Sequence, residues 1–431
     1  MRTQKTYQLN SVKNFKTSLL AWAQQFETAL WLDSNQYHQK YSSFDAVLAV
    51  EEFTSLKTDY TNSFEQLKEY QSITNDWIFG YLSYDLKNDV ESLQSKNTSV
   101  LDFADLYFFQ PQKLFLIKED LVELHYLKMV DDEIDSDFEA ILNFNTDIKS
   151  SFETDTVKIK LTLSKDDYLQ RVQQILNHIH RGDIYEANFC QEFFAEDVRI
   201  NPYEVYKKLN AISNPPFAAF FKHQDQYALC ASPERYLKKD GEKLISQPIK
   251  GTAKRSKDKT KDDALKQHLE EDVKERSENI MIVDLVRNDL SLTAQKNSVQ
   301  VEELCKIYTF DQVHQMVSTV VSKLKPDIHP IDAIKTTFPM GSMTGAPKIS
   351  AMQIIEDQEV SKRGLYSGAI GYITPENNFD FNVVIRSILY KASKQYVSYS
   401  VGSAITAKSN PVKEYEECLL KAKAMRQALE N

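Results

Sequence analysis

The chain has 431 residues, of which 42% are hydrophobic and 26% are charged, and its formal net charge is -10. These proportions are typical of a globular protein, and the acidic balance argues against a nucleic-acid surface because phosphate binding needs a basic face. The first residues contain no apolar stretch that could serve as a signal peptide or cross a bilayer, so we expect a cytoplasmic protein with no membrane partner.

The first 150 residues mix helical and strand patterns. Apolar spacing predicts a helix over residues 14–32, and aromatic runs such as YLSYDL and KLFLI predict strands. A linker is expected at residues 150–155, which divides the chain into an N-terminal portion, 1–150, and a second portion, 156–431. We expect the two portions to pack closely together.

The second portion opens with a helical pattern in DDYLQRVQQILNHIHRGDI, followed by several strand patterns. One predicted strand covers residues 245–249 and ends at Gly251. The lysine- and aspartate-rich segment 253–266 predicts a solvated surface loop, or alternatively a mobile lid hinged beside Gly251. Further helices are expected over residues 275–294 and 411–430. Because strands and helices do not alternate as regular βαβ units, the predicted fold class is α+β with mainly antiparallel sheet.

Two of these helices carry glutamates three residues apart. Glu275 and Glu278 share one face of the first helix, and Glu414 and Glu417, together with Lys421, share one face of the last. Each pair alone is typical of a solvated acidic face, whereas the four carboxylates together would suit a hard cation such as Mg²⁺. The apolar stripe of the last helix, predicted to face the core, comprises Val412, Tyr415, Leu419 and Ala422.

Lys250 stands at a predicted strand end, in SQPIKGT. Most lysines are surface residues, but one that is buried near a metal would have a lowered pKa and could act as a neutral nucleophile. Glu234, in SPERY, lies sixteen residues earlier, so neighbouring strands could set a carboxyl acid beside this amine.

Several other residues are candidates for binding rather than for catalysis. Tyr366 and Arg386 could each hold a carboxylate, the arginine through a bidentate fork. GSMTGAPK does not have the spacing of a phosphate loop, which leaves Thr344 in a glycine turn before a helix. His314 taken alone is typical of a structural histidine. The sequence has no nucleophilic cysteine or serine elbow, which argues against a glutaminase site within this chain.

Taken together, the motifs between residues 160 and 428 resemble those of the chorismate-utilising enzymes. That family includes the large subunits of anthranilate synthase and aminodeoxychorismate synthase, and the isochorismate and salicylate synthases. The motifs that carry the resemblance are GDIYEANFCQEF, NPPFAAFF, SPERY, PIKGT, ENIMIVDLVRNDL, GSMTGAPK, RGLYSGAIGY, VGSAIT and EYEECLLKA. The resemblance implies antiparallel sheets in a sandwich-like core with helices packed outside.

The resemblance also implies roles for matching residues. Glu278 and Glu417 would bind Mg²⁺, supported by Glu275 and Glu414, and the ion would hold the ring carboxylate of chorismate with help from Lys421. The residues implied for the enolpyruvyl carboxylate and the pocket wall are Tyr366, Arg386, Gly402, Ser403, Ala404 and Thr344. His314 would contact the substrate at most.

Lys250 distinguishes members of the family, because para-aminating members carry lysine at this position and ortho-aminating members carry alanine. The implied reaction begins when Lys250 attacks ring carbon 2 while the hydroxyl at carbon 4 leaves, assisted by Glu234 as general acid. Ammonia from a separate glutamine amidotransferase subunit then enters at carbon 4 and expels the lysine, for p-aminobenzoate and folate synthesis. The alternatives are amination at carbon 2 with loss of pyruvate, and chorismate binding without catalysis.

Two positions depart from the family pattern. Glu186 stands where ammonia-using relatives are expected to have glutamine, and its effect on the choice of nucleophile is open. Asp33, in WLDSN, replaces the glutamate of the tryptophan-feedback motif, so we do not expect regulation by tryptophan.

Overall fold

In this computed structural model, residues 1–37, 40–145, 155–311 and 313–430 are described, and they form eleven α-helices and twenty strands. The helices are α1 Val12–Trp22, α2 Ser63–Thr74, α3 Lys87–Val90, α4 Ile134–Leu142, α5 Lys165–Arg181, α6 Pro202–Ser213, α7 Lys259–Glu271, α8 Val273–Ser291, α9 Pro330–Thr337, α10 Lys348–Gln358 and α11 Pro411–Glu430. The strands are β1 Arg2–Gln8, β2 Thr28–Asp33, β3 Ala46–Thr58, β4 Ile78–Leu82, β5 Leu106–Lys118, β6 Leu121–Leu127, β7 Lys160–Leu161, β8 Glu186–Ala195, β9 Phe217–His223, β10 Gln226–Ser232, β11 Arg235–Asp240, β12 Lys243–Gln247, β13 Ile249–Lys254, β14 Gln300–Thr309, β15 Val313–Lys323, β16 Gly345–Ala346, β17 Ala369–Ile373, β18 Phe379–Asn382, β19 Ser387–Lys391 and β20 Tyr396–Thr406.

The strands form one connected antiparallel network with two branches. In the first branch, hydrogen-bonded neighbours follow the order β1-β6-β5-β3-β2-β9-β10-β19-β20-β8, and β7 and β16 also pair with β8. The second follows β5-β4-β17-β18-β11-β12-β15, and β13 and β14 also pair with β15. Both branches share β5, in which residues 113–118 pair with β6 and residues 106–109 pair with β4. The prediction of an α+β fold with mainly antiparallel sheet is confirmed.

Strands on either side of the predicted linker pair with each other, β2 with β9 and β4 with β17. The two predicted portions therefore share both branches of the network. The division into 1–150 and 156–431 stays a prediction. Its linker lies outside the described residues, apart from Asp155 at the linker's end.

The helices cover the sheets with apolar faces. On α5, Tyr168, Val172, Ile175 and Ile179 are all buried, as the helical periodicity predicts. The helix begins at Ser164, whose side chain accepts a hydrogen bond from the backbone, and it ends before Gly182, which has a φ of +91°.

Three predicted elements differ from the structure. The helix predicted over 14–32 ends at Trp22, and Thr28–Asp33 form strand β2, because a short apolar run fits a buried strand as well as a helix. The loop predicted over 253–266 is wrong from residue 259 onward, where helix α7 begins, capped by Asp258. The strand predicted over 245–249 is interrupted at Pro248, since β12 ends at Gln247 and β13 runs from Ile249 through Gly251 to Lys254, with a register shift between Ile249 and Thr252.

Helix α11 matches its predicted limits, but its predicted core face is correct only in part, since Ala422 is buried and Tyr415 is half-buried. Val412 and Leu419 are 41% and 40% exposed, whereas Cys418 and Met425 are fully buried. The inward stripe also contains Glu414. Hydrophobicity misled the prediction, since this helix turns a carboxylate toward the protein interior.

Across the described part of the chain, no helix combines the length and the apolar character that a bilayer crossing requires.

The fold brings the candidate site together where the two branches meet. Strands β8 and β20 belong to the first branch, and β13 belongs to the second. Glu234 lies in the short connection from β10 to β11, and its carboxyl interacts electrostatically with Lys250 of β13. Helices α8 and α11 add their first turns to the same region.

Candidate active site

Lys250 and Glu186 form a buried ion pair between the branches. Lys250 Nζ lies 3.0 Å from Glu186 Oε1, and the two side chains are 12% and 1% exposed. Lys250 belongs to the irregular stretch of β13 beside Gly251, whose φ is +90°, and such a bulge redirects a side chain away from the regular alternation. The lysine is therefore inside the protein and not in the solvent.

The charge state of Lys250 depends on its burial and on three neighbouring carboxylates. Burial alone would lower the pKa of this amine, but the carboxylates of Glu186, Glu278 and Glu234 together raise the pKa above its ordinary value. The predicted lowering applies to a lysine beside a bound metal and stays a prediction, whereas in the free protein the raised pKa favours the protonated amine.

Glu234 is a buried carboxyl with a strongly altered pKa. It is 5% exposed, and Ser342 Oγ donates a hydrogen bond of 2.7 Å to its Oε1. Burial raises the pKa of Glu234 to about 7, against the lowering effects of Ser342 and Lys250. A carboxyl with this pKa is partly protonated at neutral pH, which suits a general acid.

The first turns of α8 carry two further acids, of which Glu278 is buried and Glu275 is half-buried. Glu278 is 8% exposed, and within the described residues its Oε1 accepts no hydrogen bond, although Lys274 Nζ lies 3.7 Å away. Burial raises the pKa of Glu278 to about 7. Burial also raises the pKa of Glu275, and its Oε2 would be 3.2 Å from a Cβ placed on Gly251. This glycine lets helix α8 approach the lysine strand.

On α11, the predicted residues are already engaged with one another and with β20. Ser403 Oγ donates a hydrogen bond to Glu414. Lys421 Nζ forms an ion pair of 2.7 Å with Glu417 and donates to the carbonyl oxygen of Gly402 at 3.1 Å. Together these contacts tie the start of α11 to the end of β20.

The acids of α8 and α11 influence one another. Glu417 contributes to the raised pKa of Glu275, and Lys274 of α8 interacts electrostatically with Glu414 as well as Glu417. Among the residues described, however, no three His, Cys, Asp or Glu side chains are gathered tightly enough to hold a metal ion. The four glutamates are near one another, but their side chains are not close enough together to coordinate one ion. The magnesium site stays a prediction.

Arg386 and Tyr366 border the same region. Arg386 has a φ of +54°, a left-handed conformation that costs energy for a residue with a side chain and is common at functional sites. Its Nη1 donates to the carbonyl oxygen of Lys421 at 3.2 Å. Tyr366 is 3% exposed, and burial raises its pKa, so its hydroxyl stays protonated and can donate.

Gly402 and Thr344 both lie in tightly packed parts of the protein. A Cβ on Gly402 would stand 2.4 Å from Asn188 Oδ1 and 2.7 Å from Cys190 Sγ, so a side chain at this position would force these neighbours to move. Ala404 pairs with Asn188 across β20 and β8. Thr344 is fully buried and its Oγ1 donates to the carbonyl oxygen of Gly341 at 3.3 Å.

His314 has protein partners at both ring nitrogens. Its Nδ1 lies 3.0 Å from Thr309 Oγ1, and its Nε2 lies 3.1 Å from Asp262 Oδ1 on α7. The side chain is 1% exposed. These contacts support the structural interpretation, and substrate contact by His314 stays a prediction.

Sequence reasoning did not identify two contributors to the site. Ser342 was not singled out, although it lies two residues before Thr344 and holds Glu234. Glu186 was noted only as a departure from a family pattern, while the structure makes it the ion-pair partner of Lys250. The signal for Glu186 was its position inside the GDIYEANFCQEF motif.

A separate cavity lies away from this cluster, lined in part by Asp33, Phe44 and Arg235. Asp33 is 8% exposed and forms an ion pair of 2.5 Å with Lys16. The carboxylate is thus already neutralised by a residue of this chain.

Comparisons with known proteins point to one family. The chorismate binding enzyme family matches residues 19–427. An anthranilate synthase component I-like protein of Synechocystis sp. is 34% identical over 370 residues, which cover 86% of this chain and 76% of the relative. Aminodeoxychorismate synthase component 1 of Bacillus subtilis is 31% identical over 391 residues, with coverage of 88% and 80%. In a longer relative, the probable chloroplastic aminodeoxychorismate synthase of Oryza sativa, the chain is 32% identical and spans 44% of the length.

The fold has a solved counterpart as well. Anthranilate synthase component I from Streptococcus pneumoniae superposes with a TM-score of 0.78 over 90% of this chain and 94% of that one, at 24% identity. This likeness concerns the fold alone, whereas the sequence match extends over nearly the whole chain. The chain belongs to the family of chorismate-binding enzymes.

Proposed function

We propose that this protein aminates chorismate at ring carbon 4 and gives 4-amino-4-deoxychorismate, for the synthesis of p-aminobenzoate and folate. The observation that carries the proposal is the buried amine of Lys250, set among three carboxyl groups of which two, Glu234 and Glu278, have a pKa of about 7. The likeness to aminodeoxychorismate synthase component 1 of Bacillus subtilis supports the same activity.

In the proposed reaction, Lys250 and Glu234 have complementary tasks. Nζ of Lys250 forms a bond to ring carbon 2, and the hydroxyl at carbon 4 leaves as water with a proton from Glu234. Ammonia then bonds to carbon 4, the bond between carbon 2 and Nζ breaks, and the proton released by the new amine returns to Glu234. A general acid with a pKa near the working pH contributes a factor of about 10²–10⁴ to such a reaction.

The carboxylates of chorismate need local positive charge in this acidic chain. Arg386 and Tyr366, with the backbone amides of Gly402, Ser403 and Ala404, are the proposed partners of the enolpyruvyl carboxylate, and Thr344 completes the wall. Lys421 is the proposed protein partner of the ring carboxylate.

The acids of α8 and α11 fit a divalent cation by their chemistry. Glu278 has a buried oxygen without a hydrogen-bond partner in the described structure, and burial raises its pKa to about 7 against the lowering effects of Lys250 and Lys274. Oxygen-rich sites of this kind suit Mg²⁺. Glu278 and Glu417 would hold the ion, with Glu275 and Glu414 in support. When bound, Mg²⁺ supplies charge that neutralises a substrate carboxylate.

We also propose a glutamine amidotransferase as the source of ammonia, and a cytoplasmic location. The motivation is that this sequence carries no nucleophilic cysteine motif of a glutaminase. If the chain alone catalysed the reaction at full rate with glutamine, and no glutaminase copurified with it, the proposed partner would be rejected.

Product identity tests the proposed function directly. The protein is incubated with chorismate, Mg²⁺ and an ammonium salt, and the products are separated by liquid chromatography with mass detection. We expect 4-amino-4-deoxychorismate and no fluorescent anthranilate. Anthranilate formed without an added lyase would replace the proposal with amination at carbon 2. Tight binding of chorismate without turnover would identify a non-catalytic protein.

A further inference from the structure

Glu186 offers the cluster a free proton acceptor. It is 1% exposed, and in the described structure its second carboxylate oxygen, Oε2, accepts no hydrogen bond while Oε1 binds Lys250. Its backbone is fixed on both sides, since it pairs with Ala346 of β16 and with Thr406 of β20. A buried oxygen left without a partner costs stability, which calls for a functional reason.

We propose that Glu186 is the proton partner of Lys250, taking the ammonium proton before Nζ attacks the ring and returning it when the amine leaves. This inference rests on the proposed function, because it concerns the activation of the same nucleophile. It gives Glu186 a catalytic role, since its carboxylate touches the reacting atom Nζ.

Lys250 must lose a proton before it can act as a nucleophile. An ammonium group has no lone pair and cannot attack carbon, yet the surrounding carboxylates keep this amine protonated in the free protein. Of these carboxylates, Glu186 is the one in direct contact with Nζ, at 3.0 Å. Glu234 accepts from Ser342 and is needed as the acid, and Glu278 lies near Lys274.

Transfer inside the pair needs no proton from or to the solvent. Lys250-NH₃⁺ and Glu186-COO⁻ become Lys250-NH₂ and Glu186-COOH, and the net charge of the pair is unchanged. Substrate binding displaces the remaining water, and loss of solvent penalises the charged pair more than the neutral one. The lysine side chain is 12% exposed, so a bound substrate can complete its desolvation.

The protons balance over the cycle. Nζ attacks carbon 2 as a neutral amine and becomes a cationic secondary amine. When ammonia displaces it from carbon 4, Nζ leaves with its electron pair as a neutral amine and takes the proton back from Glu186. Glu234 separately gives a proton to the departing hydroxyl and regains one from the incoming nitrogen, so no oxidant or reductant is needed.

The first test measures the pair itself in the free protein. The variants are Glu186→Gln, Glu186→Asp and, as a matched control on the same strand, Glu192→Gln. Carbamylation of Lys250 by cyanate is followed by peptide mass spectrometry from pH 7 to 11. Because the charge of Glu186 favours the ammonium form, the midpoint in Glu186→Gln should fall by about 1–3 pH units, and the control should match the wild type.

The second test measures turnover with chorismate and ammonium salt. Ionisation of Glu234 changes kcat with pH in both proteins. Dividing the variant kcat by the wild-type kcat removes this shared pH dependence. For Glu186→Gln this ratio should be about 10⁻² at pH 7 and should rise about tenfold per pH unit toward the cyanate midpoint, because its amine must lose a proton to solvent. Glu186→Asp should recover part of the loss, and unfolding curves check that each variant is folded.

Three outcomes overturn the inference. An unchanged cyanate midpoint in Glu186→Gln rejects the coupling of the two groups. A reduced kcat whose ratio does not vary with pH assigns Glu186 a structural role, and a wild-type kcat rejects any role. If the wild type makes no aminated product, the proposed function fails and the inference fails with it, whereas an active wild type with an equally active Glu186→Gln removes the inference alone.

Discussion

Replacing Glu234 by glutamine should lower activity and raise stability at the same time. The folded protein holds this carboxyl with a pKa of about 7, raised by burial from an ordinary value of 4.5, whereas an unfolded chain ionises it near that ordinary value. Each pKa unit corresponds to about 1.36 kcal/mol, so the rise costs the folded state up to about 3 kcal/mol once the pH exceeds 7. Since the residue is 5% exposed, solvent screening removes little of this cost.

The sign of the pH dependence follows from the same difference. Below pH 4.5 both states hold the proton, and the carboxyl does not disfavour folding. As the pH rises toward 7, the unfolded state releases its proton first, so the wild type loses stability relative to Glu234→Gln. The variant keeps an oxygen that can accept from Ser342, which preserves the local hydrogen bond.

Urea denaturation between pH 4 and 9 measures this difference. We expect the free energy of unfolding of Glu234→Gln to exceed that of the wild type by up to about 3 kcal/mol at pH 8 and to approach it at pH 4. Activity should fall by about 10²–10⁴, as for loss of a general acid. The exposed Glu242→Gln serves as control. Parallel pH profiles for Glu234→Gln and the wild type would refute the reasoning.

The remaining predictions concern the nucleophile, the cation and the backbone at β20. Lys250→Met should abolish product formation, and wild-type turnover by this variant would exclude covalent catalysis by the lysine. Glu417→Gln should weaken Mg²⁺ binding in calorimetric titration by at least about tenfold, while the exposed neighbour Glu416→Gln should not; equal affinities would contradict the magnesium site. Gly402→Ala should lower the free energy of unfolding by about 1–3 kcal/mol, because its Cβ would overlap Asn188 Oδ1 at 2.4 Å; unchanged urea midpoints would mean that the side chain yields.

Local sequence patterns predicted those parts of the molecule that depend on neighbouring residues. The buried stripe of α5 follows from a helical period, and α11 begins at Asn410, whose side chain accepts from the backbone of Val412 and Lys413. Motif order gave the family, and chemical type singled out Lys250 and Glu234. These features need no knowledge of which distant strands meet.

Long-range pairing decided the rest. Glu186 and Lys250 are 64 residues apart, and they meet because β8 and β13 come from different branches of the network. The protonated state of Lys250 depends on that meeting, so no local pattern could have given it. The buried position of Glu414 also depends on a distant residue, because Ser403 of β20 donates a hydrogen bond to its carboxylate. Apolar periodicity alone would have placed Glu414 on the exposed face.

In the free protein, the buried acids of the site lack enough positive charge to compensate their burial. Glu278 and Glu234 are buried carboxyls with pKa values of about 7, and both interact electrostatically with the amine of Lys250, while Glu278 also lies near Lys274. These lysines leave the buried acids only partly compensated, and removing a lysine would destabilise the acids further. Folding alone gains nothing from this arrangement. Binding of a divalent cation would bring positive charge to the acids of α8. Binding of the substrate would favour transfer of the Lys250 proton to Glu186, so both events would reduce the cost of the buried charges. The stability that the fold gives up at Glu278 and Glu234 is therefore available to favour the bound state over the free one.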